Sequence, residues 1–342
     1  MKAIVIREHG GLDKLNWAEV PTPEPGPGEA LVRIRAAGAN HFDHDIREGV
    51  SGIKHAMPHV LGIEGVGEVA VLGPGVTGPR VGERVAIYAT RFCGHCHVCL
   101  AGLEGTCMNR SLMGVQIWGC FAEYARCNAN QLVALPDDVS FETAAASVIC
   151  YGTAWHMAVW HGAVQAGQTV LVNAAGSGVG MSAIQIAKLH GATVIASAGS
   201  DAKLAKAREL GADHVLNYRN QAIGAECLKL TGGRGVDLVI ESVGGEVLIQ
   251  SIEALAFNGS LVTCGAHAGE IVPLNVIELF RKHIRLQGSH YASRLEVRRV
   301  FDLVASGALK PVIHGVYPMQ DYAKVAALVA NRDFFGKMVL VP

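Results

Sequence analysis

The feature that most constrains the fold is a glycine-rich turn placed between an apolar strand and a helix. Residues 169–176 read TVLVNAAG, and their uninterrupted apolar run predicts a buried strand. A helical stretch follows from Val179 to His190, where Gly191 ends it. The turn between them is Ala175-Gly176-Ser177-Gly178-Val179-Gly180. Glycines here let backbone N–H groups and a helix N-terminus approach a pyrophosphate, so the pattern predicts a dinucleotide-binding loop. A purely structural tight turn is the alternative.

The same strand-and-helix unit repeats along the middle of the chain. After the first unit come the strand ATVIASA, the helix DAKLAKARELG and the short strand HVLNY. VDLVIES, VLIQSIEALAF and SLVTCG then repeat strand, helix and strand. Strands that are apolar on both faces and alternate with helices indicate a parallel, doubly wound sheet. We therefore predict an α/β dinucleotide-binding domain over residues 143–287.

The end of the second strand indicates which dinucleotide is preferred. NAD sites usually carry an Asp or Glu there to hold the ribose 2′-hydroxyl. This segment ends in Ala198-Gly199-Ser200, and the first carboxylate is Asp201. This neutral segment, with Lys203 nearby, suits a 2′-phosphate, so we predict NADP(H) in preference to NAD(H). The alternative is that Lys203 only lies on a solvated helix face and does not contact the cofactor. The residues predicted to contact the cofactor are Ala175, Gly176, Ser177, Gly178, Val179, Gly180, Ser197, Ser200, Lys203 and Tyr218.

Residues 1–142 have a different pattern, in which short β segments are separated by Gly and Pro. Val32, Ile34 and Ala36 alternate with Arg33 and Arg35, as in a half-buried strand. Similar short strands and glycine turns follow, which is typical of a small barrel. Residues 288–342 are mixed in character, and we expect them to return to this first domain.

Four cysteines at 91–110 form a predicted metal-binding lobe. Cys93, Cys96, Cys99 and Cys107 have the spacing C-x2-C-x2-C-x7-C. Four thiolates that can converge within one short loop match tetrahedral zinc with every position filled, so the predicted metal is structural. An iron–sulfur cluster also takes four cysteines, but the surrounding pattern does not call for one.

Charge and composition exclude several partner classes. The chain of 342 residues has 29 Lys and Arg against 30 Asp and Glu, a formal net charge of −1, which offers no basic footprint for nucleic acid. Residues 143–187 carry no charged side chain, but His, Gln, Asn and glycines interrupt them, so we expect no membrane span. The charged start, MKAIVIREHGG, does not resemble a secretion signal. Nine cysteines then indicate thiols and metal in the cytoplasm rather than disulfides.

Together these motifs resemble the medium-chain dehydrogenase/reductase superfamily, which contains zinc alcohol dehydrogenases and quinone oxidoreductases. The resemblance covers essentially the whole chain and rests on the glycine loop, Gly191, the four-cysteine lobe, GANHFD (38–43), LGIEG (61–65) and FAEY (121–124). It implies a GroES-like β-barrel catalytic domain, formed by both chain ends, together with a Rossmann domain. It also implies a small-molecule substrate and a homodimer or homotetramer.

The chain departs from that family at the catalytic metal. Zinc alcohol dehydrogenases bind the metal through a Cys, a His and a later Cys or Asp, and these positions correspond here to Asn40, Ile63 and Cys150. Isoleucine has no donor atom and an amide is a poor zinc ligand. We therefore expect one structural zinc per chain and no usual catalytic zinc. An atypical site using His41, Asp43, His44, Asp45, Glu64 and Cys150 is the alternative.

Without that metal, side chains must stabilise the charge that develops on the substrate oxygen. The predicted catalytic residues are Asn40, His41, Asp43, Cys150 and Tyr151, with Asn40, His41 and Tyr151 as possible hydrogen-bond donors. Such a site suits an activated acceptor, namely an enone, quinone or reactive aldehyde, better than a plain alcohol. The sequence thus predicts an NADPH-dependent oxidoreductase. A zinc-dependent alcohol dehydrogenase with an unusual ligand set, or a non-catalytic NADPH-binding protein, are the alternatives.

Overall fold

A computed structural model describes residues 1–50 and 52–342, and it divides the chain into two compact units. Unit 1 comprises Met1–Ile149, Ser293–Gly307 and Pro311–Pro342, and unit 2 comprises Cys150–Ala292 and Ala308–Lys310. The predicted domain boundaries, at 142 and 287, lie a few residues before those of the two units.

The secondary structure follows the two patterns seen in the sequence. The strands are β1 (Lys2–Ile6), β2 (Asn16–Glu19), β3 (Glu29–Gly38), β4 (His59–Val60), β5 (Gly65–Leu72), β6 (Arg84–Ile87), β7 (Thr90–Arg91), β8 (Ser111–Leu112), β9 (Tyr124–Asn128), β10 (Leu132–Ala134), β11 (Thr169–Val172), β12 (Thr193–Ala198), β13 (His214–Asn217), β14 (Val236–Glu241), β15 (Leu255–Thr263), β16 (Arg285–Gly288), β17 (Ile313–Pro318) and β18 (Lys337–Val341). The α-helices are α1 (His41–Glu48), α2 (His97–Leu100), α3 (Phe141–Ala145), α4 (Val148–Trp155), α5 (Gly178–Leu189), α6 (Asp201–Glu209), α7 (Ile223–Leu230), α8 (Gly245–Glu253), α9 (Val276–Arg281), α10 (Arg294–Ala305) and α11 (Tyr322–Asn331). A π-helical turn, His156–His161, continues the chain after α4.

Unit 1 is built around a mainly antiparallel sheet. Its strands run in the order β10-β6-β5-β3-β18-β17, and β9 also pairs with β3. The smaller sheets are β2-β1-β4 and β7-β8. In β3, Val32, Ile34 and Ala36 are buried while Arg33 is exposed, as the alternation predicts. Strand β18 pairs with the end of β3, Val339 opposite Gly38, and therefore brings the C-terminal segment beside the start of α1.

Unit 2 contains the predicted parallel sheet. Its order is β13-β12-β11-β14-β15-β16, which is 3-2-1-4-5-6 within the domain and matches the dinucleotide-binding arrangement. All neighbouring strands are parallel. One predicted helix is too long, because VLIQSIEALAF continues into β15: α8 ends at Glu253, and the residues from Leu255 onward pair with β14 instead.

The buried apolar residues form separate clusters in the two units. The larger cluster in unit 1 includes Ile34, Leu61 and Phe121, and that of unit 2 includes Leu171, Ile195 and Val239. Within the described part of the chain, no helix has the length and apolar character that crossing a membrane requires.

Candidate functional site

The four predicted zinc ligands lie together in one loop of unit 1. Cys93 follows β7, Cys96 is the N-cap of α2, Cys99 lies within α2, and Cys107 ends a short 3₁₀ turn. Their Sγ–Sγ separations are 3.9 Å for Cys93–Cys99, 3.4 Å for Cys96–Cys99, 3.9 Å for Cys96–Cys107 and 3.6 Å for Cys93–Cys107.

These separations fit a metal and exclude disulfides. A zinc ion with four sulfur ligands at about 2.3 Å requires sulfurs about 3.8 Å apart at the corners of a tetrahedron. A disulfide would bring two of them to about 2.05 Å. His95 and His97 are exposed and do not belong to the thiol cluster. The lobe can therefore hold one zinc ion with no ligand position left for a substrate.

The loop that follows β3 leads into a buried polar network of unit 1. Asp43 and Glu64 are fully buried, and Lys337 is 2% exposed. The Lys337 ammonium forms an ion pair with Glu64 Oε1 and donates to Asn40 Oδ1 at 2.5 Å. The second carboxylate oxygen of Glu64 accepts the Ile149 backbone N–H at 2.9 Å. A cation is thus already present beside Asn40.

The amide of Asn40 is oriented by this network. Its Nδ2 donates to Glu64 Oε1 at 2.7 Å and to the Gly38 carbonyl at 3.1 Å, and its oxygen accepts from Lys337. Lysine can only donate and a carboxylate can only accept, so the amide has one consistent orientation. Both amide hydrogens therefore have acceptors within unit 1. The predicted role of Asn40 as a donor to substrate stays a prediction, and it would require one of these bonds to break.

Gly38 makes room for the network. A Cβ at this position would overlap Glu64 Oε1 and lie 2.6 Å from Lys337 Cε, with the Ala145 carbonyl at 2.7 Å. Any side chain here would displace the ion pair. The glycine that begins the GANHFD motif is therefore needed for the close packing of three buried polar groups.

Asp43 connects the loop that follows β3 to the segment around Ile63 through hydrogen bonds. Its Oδ2 accepts the Asn40 backbone N–H at 2.8 Å and its Oδ1 accepts the Ile63 N–H at 3.1 Å. Burial raises the pKa of this carboxyl to about 7, and the two N–H donors and the Lys337 charge offset only part of that effect. The contacts of Asp43 are thus those of a residue that positions the loop.

Helix α1 presents a row of titratable side chains. His41 Nδ1 lies 3.4 Å from Asp45 Oδ1, and one turn further His44 Nε2 lies 3.3 Å from Glu48 Oε2. Arg47 Nη2 contacts His44 Nδ1 at 2.8 Å. The His41 side chain is 33% exposed, unlike the fully buried Asp43.

The other two predicted catalytic residues belong to unit 2. Cys150 is 4% exposed and Tyr151 is fully buried in α4. The Tyr151 hydroxyl donates to the Lys310 carbonyl at 3.1 Å and accepts from Gln185 Nε2 at 2.7 Å. Burial raises the pKa of this phenol. Because its hydrogen already has an acceptor, these contacts are structural, and a catalytic role for Tyr151 stays a prediction.

The glycine loop of unit 2 has the geometry of a phosphate site. Ser177 is the N-cap of α5, and its side chain accepts the Gly180 N–H at 3.0 Å. A Cβ on Gly180 would overlap the Ala174 carbonyl, so only glycine allows this tight entry into the helix. The N-terminus of α5 is therefore placed directly after β11, where a pyrophosphate would bind.

The other predicted cofactor residues divide into two groups. Ser197 is fully buried and its hydroxyl donates to Asn173 Oδ1 at 2.8 Å, so it braces β12 against the end of β11. Ser200 is the N-cap of α6, and the aliphatic part of Lys203 lies over Gly176, where an added Cβ would be 2.8 Å from Lys203 Cδ. Tyr218 packs against Gly199 and is 39% exposed. Contacts of all of these with a cofactor stay predictions.

Sequence reasoning missed one residue of the network, Lys337. The available signal was a single lysine that opens the apolar run KMVLV, because a charge inside such a strand must be paired. For Glu64 the resemblance implies a residue retained for packing and hydrogen bonding, with a ligand of an atypical zinc as the alternative. Its carboxylate contacts Lys337, Asn40 and the Ile149 N–H.

Comparisons with known proteins agree with this architecture. Residues 26–137 match the family model of the alcohol dehydrogenase GroES-like domain, and residues 178–306 match that of the zinc-binding dehydrogenase. An alcohol dehydrogenase of Geobacillus stearothermophilus is 32% identical over 99% of both chains, and a 2-haloacrylate reductase of a Burkholderia species is 30% identical over 99% of this chain and 98% of that one. The crystal structure of an NAD-dependent alcohol dehydrogenase is 41% identical, with a TM-score of 0.95 over the full length of both chains.

Proposed function

The chain belongs to the medium-chain dehydrogenase/reductase superfamily of oxidoreductases, and from that premise we propose that it transfers hydride from NADPH to an activated carbonyl or conjugated C=C without a catalytic zinc. The substrate would be an enone, a quinone or a reactive aldehyde. One zinc ion, held by Cys93, Cys96, Cys99 and Cys107, would be structural.

The observation that carries this proposal is the buried ammonium of Lys337 beside Asn40. The positions that correspond to two family zinc ligands hold Asn40 and Ile63, and the Asn40 oxygen already accepts from Lys337. A zinc ion bound at Asn40 would have to displace this lysine and would be repelled by its charge. A substrate that is already polarised needs less activation than an alcohol, whose hydroxyl pKa a metal would lower. The relative named 2-haloacrylate reductase has a name that denotes reduction of a conjugated acid.

The residues of this chain would contribute binding and orientation. The N-terminus of α5 and the backbone of 175–180 would bind the pyrophosphate, and the cofactor would supply the hydride. His41 is the partly exposed donor among the predicted catalytic residues, and its Nδ1 lies 3.4 Å from the Asp45 carboxylate. His41 could then deliver the proton that completes the reduction.

The experiment is an acceptor panel combined with a metal count. We expect NADPH oxidation with 2-cyclohexenone, 1,4-benzoquinone or 2-chloroacrylate, retained activity after a chelator treatment that leaves the structural zinc in place, and close to one zinc per chain. Two zinc ions per chain together with alcohol oxidation would support the zinc-dependent alternative, which the names of several relatives favour. NADPH binding without turnover of any acceptor would support the non-catalytic alternative.

The cofactor preference has its own test at Ala198. Ala198 ends β12 and is 2% exposed, and the segment that follows contains no carboxylate before Asp201, whose Oδ1 accepts from Asn217. The Ala198→Asp substitution should shift the kcat/KM ratio from NADPH toward NADH by at least about tenfold, because a carboxylate would repel a 2′-phosphate and accept from a 2′-hydroxyl. Ala202→Asp on the exposed face of α6 is the matched control. An unchanged ratio in Ala198→Asp would refute the NADPH assignment. The test matters because the similar solved structure is described as that of an NAD-dependent alcohol dehydrogenase.

We also propose that the protein self-associates and that it is cytoplasmic. Strand β16 is the edge of the parallel sheet and all four of its residues are exposed, while neighbouring Val276, Ile277 and Phe280 are 59%, 52% and 61% exposed. Such an apolar edge supports a homodimer or homotetramer, which light scattering would measure. The described cysteines form no disulfide, which supports a reducing compartment.

A further inference from the structure

A cavity lies in unit 1, apart from the buried network around Asn40. Its volume is about 440 Å³, and none of Asn40, Asp43, Glu64 and Lys337 lines it. Small-molecule sites usually enclose about 300–1,000 Å³. We name it the His59 cavity, after the buried histidine in its wall; the other lining residues used below are Pro21, Glu29, Arg91, Ile117, Trp118, Tyr124 and Arg126.

His59 lines this cavity, and its ring carries a buried acceptor that no described residue uses. The residue is 1% exposed, and its Nε2 has no hydrogen-bond partner among the residues that the structure describes. The ring bonds to the backbone of Gly114, and burial lowers its pKa to about 4, so the imidazole is neutral near pH 7. A neutral ring that donates through Nδ1 carries a lone pair on Nε2. A ligand that satisfies this nitrogen must therefore supply an O–H or N–H donor.

Two guanidinium groups give the cavity a positive wall. Arg91 Nη2 lies 3.1 Å from Glu29 Oε1, and Arg126 Nε lies 3.5 Å from Glu29 Oε2. One carboxylate thus neutralises only one of the two arginines. The Arg126 side chain is 47% exposed, so its remaining donors can reach an incoming anion.

The remaining wall is apolar and contains two aromatic rings. Pro21, Ile117, Trp118 and Tyr124 line it, and the Trp118 indole is fixed by its bond to the Pro58 carbonyl at 3.1 Å. Rigid aromatic walls favour flat, apolar ligands over flexible polar ones. The cavity therefore combines a flat apolar surface, one buried acceptor and one excess positive charge.

We propose that the His59 cavity is a binding site for small phenolic carboxylates, separate from the hydride-transfer site. The phenol hydroxyl donates to His59 Nε2, the carboxylate meets Arg91 and Arg126, and the ring packs on Trp118 and Tyr124. No covalent step is involved. The site does not depend on the proposed reductase function.

Calorimetric titration with 4-hydroxybenzoate tests this assignment, with benzoate and phenol as the matched probes that each lack one group. We expect saturable binding of one 4-hydroxybenzoate per chain, at least tenfold tighter than either matched probe. His59→Phe keeps a ring but removes the acceptor, so it should weaken 4-hydroxybenzoate at least tenfold and leave benzoate unchanged. Arg126→Gln should weaken both carboxylates and leave phenol unchanged.

Two substitutions outside the His59 cavity serve as controls. His314→Phe and Arg298→Gln change exposed side chains elsewhere in unit 1 and should not alter any of the three affinities. Saturating NADPH should not displace the probe, because no residue of the glycine loop lines the cavity. Absence of saturable binding, or equal affinity in wild type, His59→Phe and Arg126→Gln, would overturn the proposal and leave a water-filled cavity. Arg126 is partly exposed, so its variant keeps the test decisive if His59→Phe does not fold.

Discussion

The buried pair Lys337–Glu64 should behave as a unit in folding stability. Lys337 is 2% exposed and Glu64 fully buried, so neither charge can be solvated by water when its partner is removed. Glu64→Gln removes the carboxylate that forms the ion pair with Lys337, and Lys337→Met removes the ammonium from the Glu64 carboxylate, which lies near Asp43. Breaking a buried pair from one side typically costs about 3–5 kcal/mol.

The double variant should lose much less than the sum of the two single variants. With both charges absent, neither desolvation penalty remains, and replacement of a whole buried pair by groups of similar volume is often neutral or stabilising. The remaining loss comes from the Asn40 oxygen, which no longer receives the lysine proton, and is about 1–3 kcal/mol. We therefore expect a coupling energy of about 3 kcal/mol or more.

Native-state hydrogen exchange is a suitable assay because it reports the opening of particular strands without assuming that both units unfold together. Amides of β3 and β18 flank the pair through the pairing of Val339 with Gly38. In each single variant they should exchange about a hundredfold to a few thousandfold faster, because about 1.4 kcal/mol corresponds to tenfold. Amides of β11 and β12 in unit 2 provide the internal control. Strictly additive losses in the double variant would refute the reasoning, since they would mean that the two charges are stabilised independently.

The parts of the molecule that sequence predicts well are those encoded in short stretches. The four cysteines lie within fifteen consecutive residues, 93–107, and one loop together with α2 brings their sulfurs together. The glycine loop likewise follows from the order strand, turn, helix, because Gly180 is required wherever the backbone passes that close to Ala174. In both cases the chemistry and the geometry are local, so the residue types alone indicate the site.

The network at Asn40 could not be predicted in the same way. Lys337 is 297 positions away from Asn40 and reaches it only because β18 pairs with the end of β3. The resemblance to the family predicts Asn40 and Ile63 at positions where zinc ligands are usual, but it does not predict that Lys337 lies beside Asn40. The sequence places an amide side chain at position 40, but it does not show that the Gly38 carbonyl and the Glu64 carboxylate accept both amide hydrogens. Donor capacity depends on neighbours, and those neighbours are set by the tertiary fold.

Two further predictions concern the zinc lobe and the titration of Asp43. Cys96→Ser should lower the zinc content toward zero and destabilise residues 93–107, because oxygen is a weaker zinc ligand than thiolate, whereas Cys227→Ser, outside the lobe, should keep one zinc per chain by mass spectrometry. For Asp43, the folded pKa of about 7 lies above the ordinary value of 3.8, so unfolding between these pH values releases a proton. Its contribution to stability is therefore complete below about pH 4 and is lost as pH rises to 7, a change of about 4 kcal/mol. Asp43→Asn cannot titrate, so its stability relative to wild type should improve by about 3 kcal/mol between pH 4.5 and 8 in urea denaturation, the part of that change that falls within this pH range. This holds whatever its absolute loss from the altered contact with the Asn40 and Ile63 N–H groups. Any acid-induced release of zinc is common to both proteins and cancels in the difference, and an equal gap at the two pH values would show that Asp43 is ionised throughout.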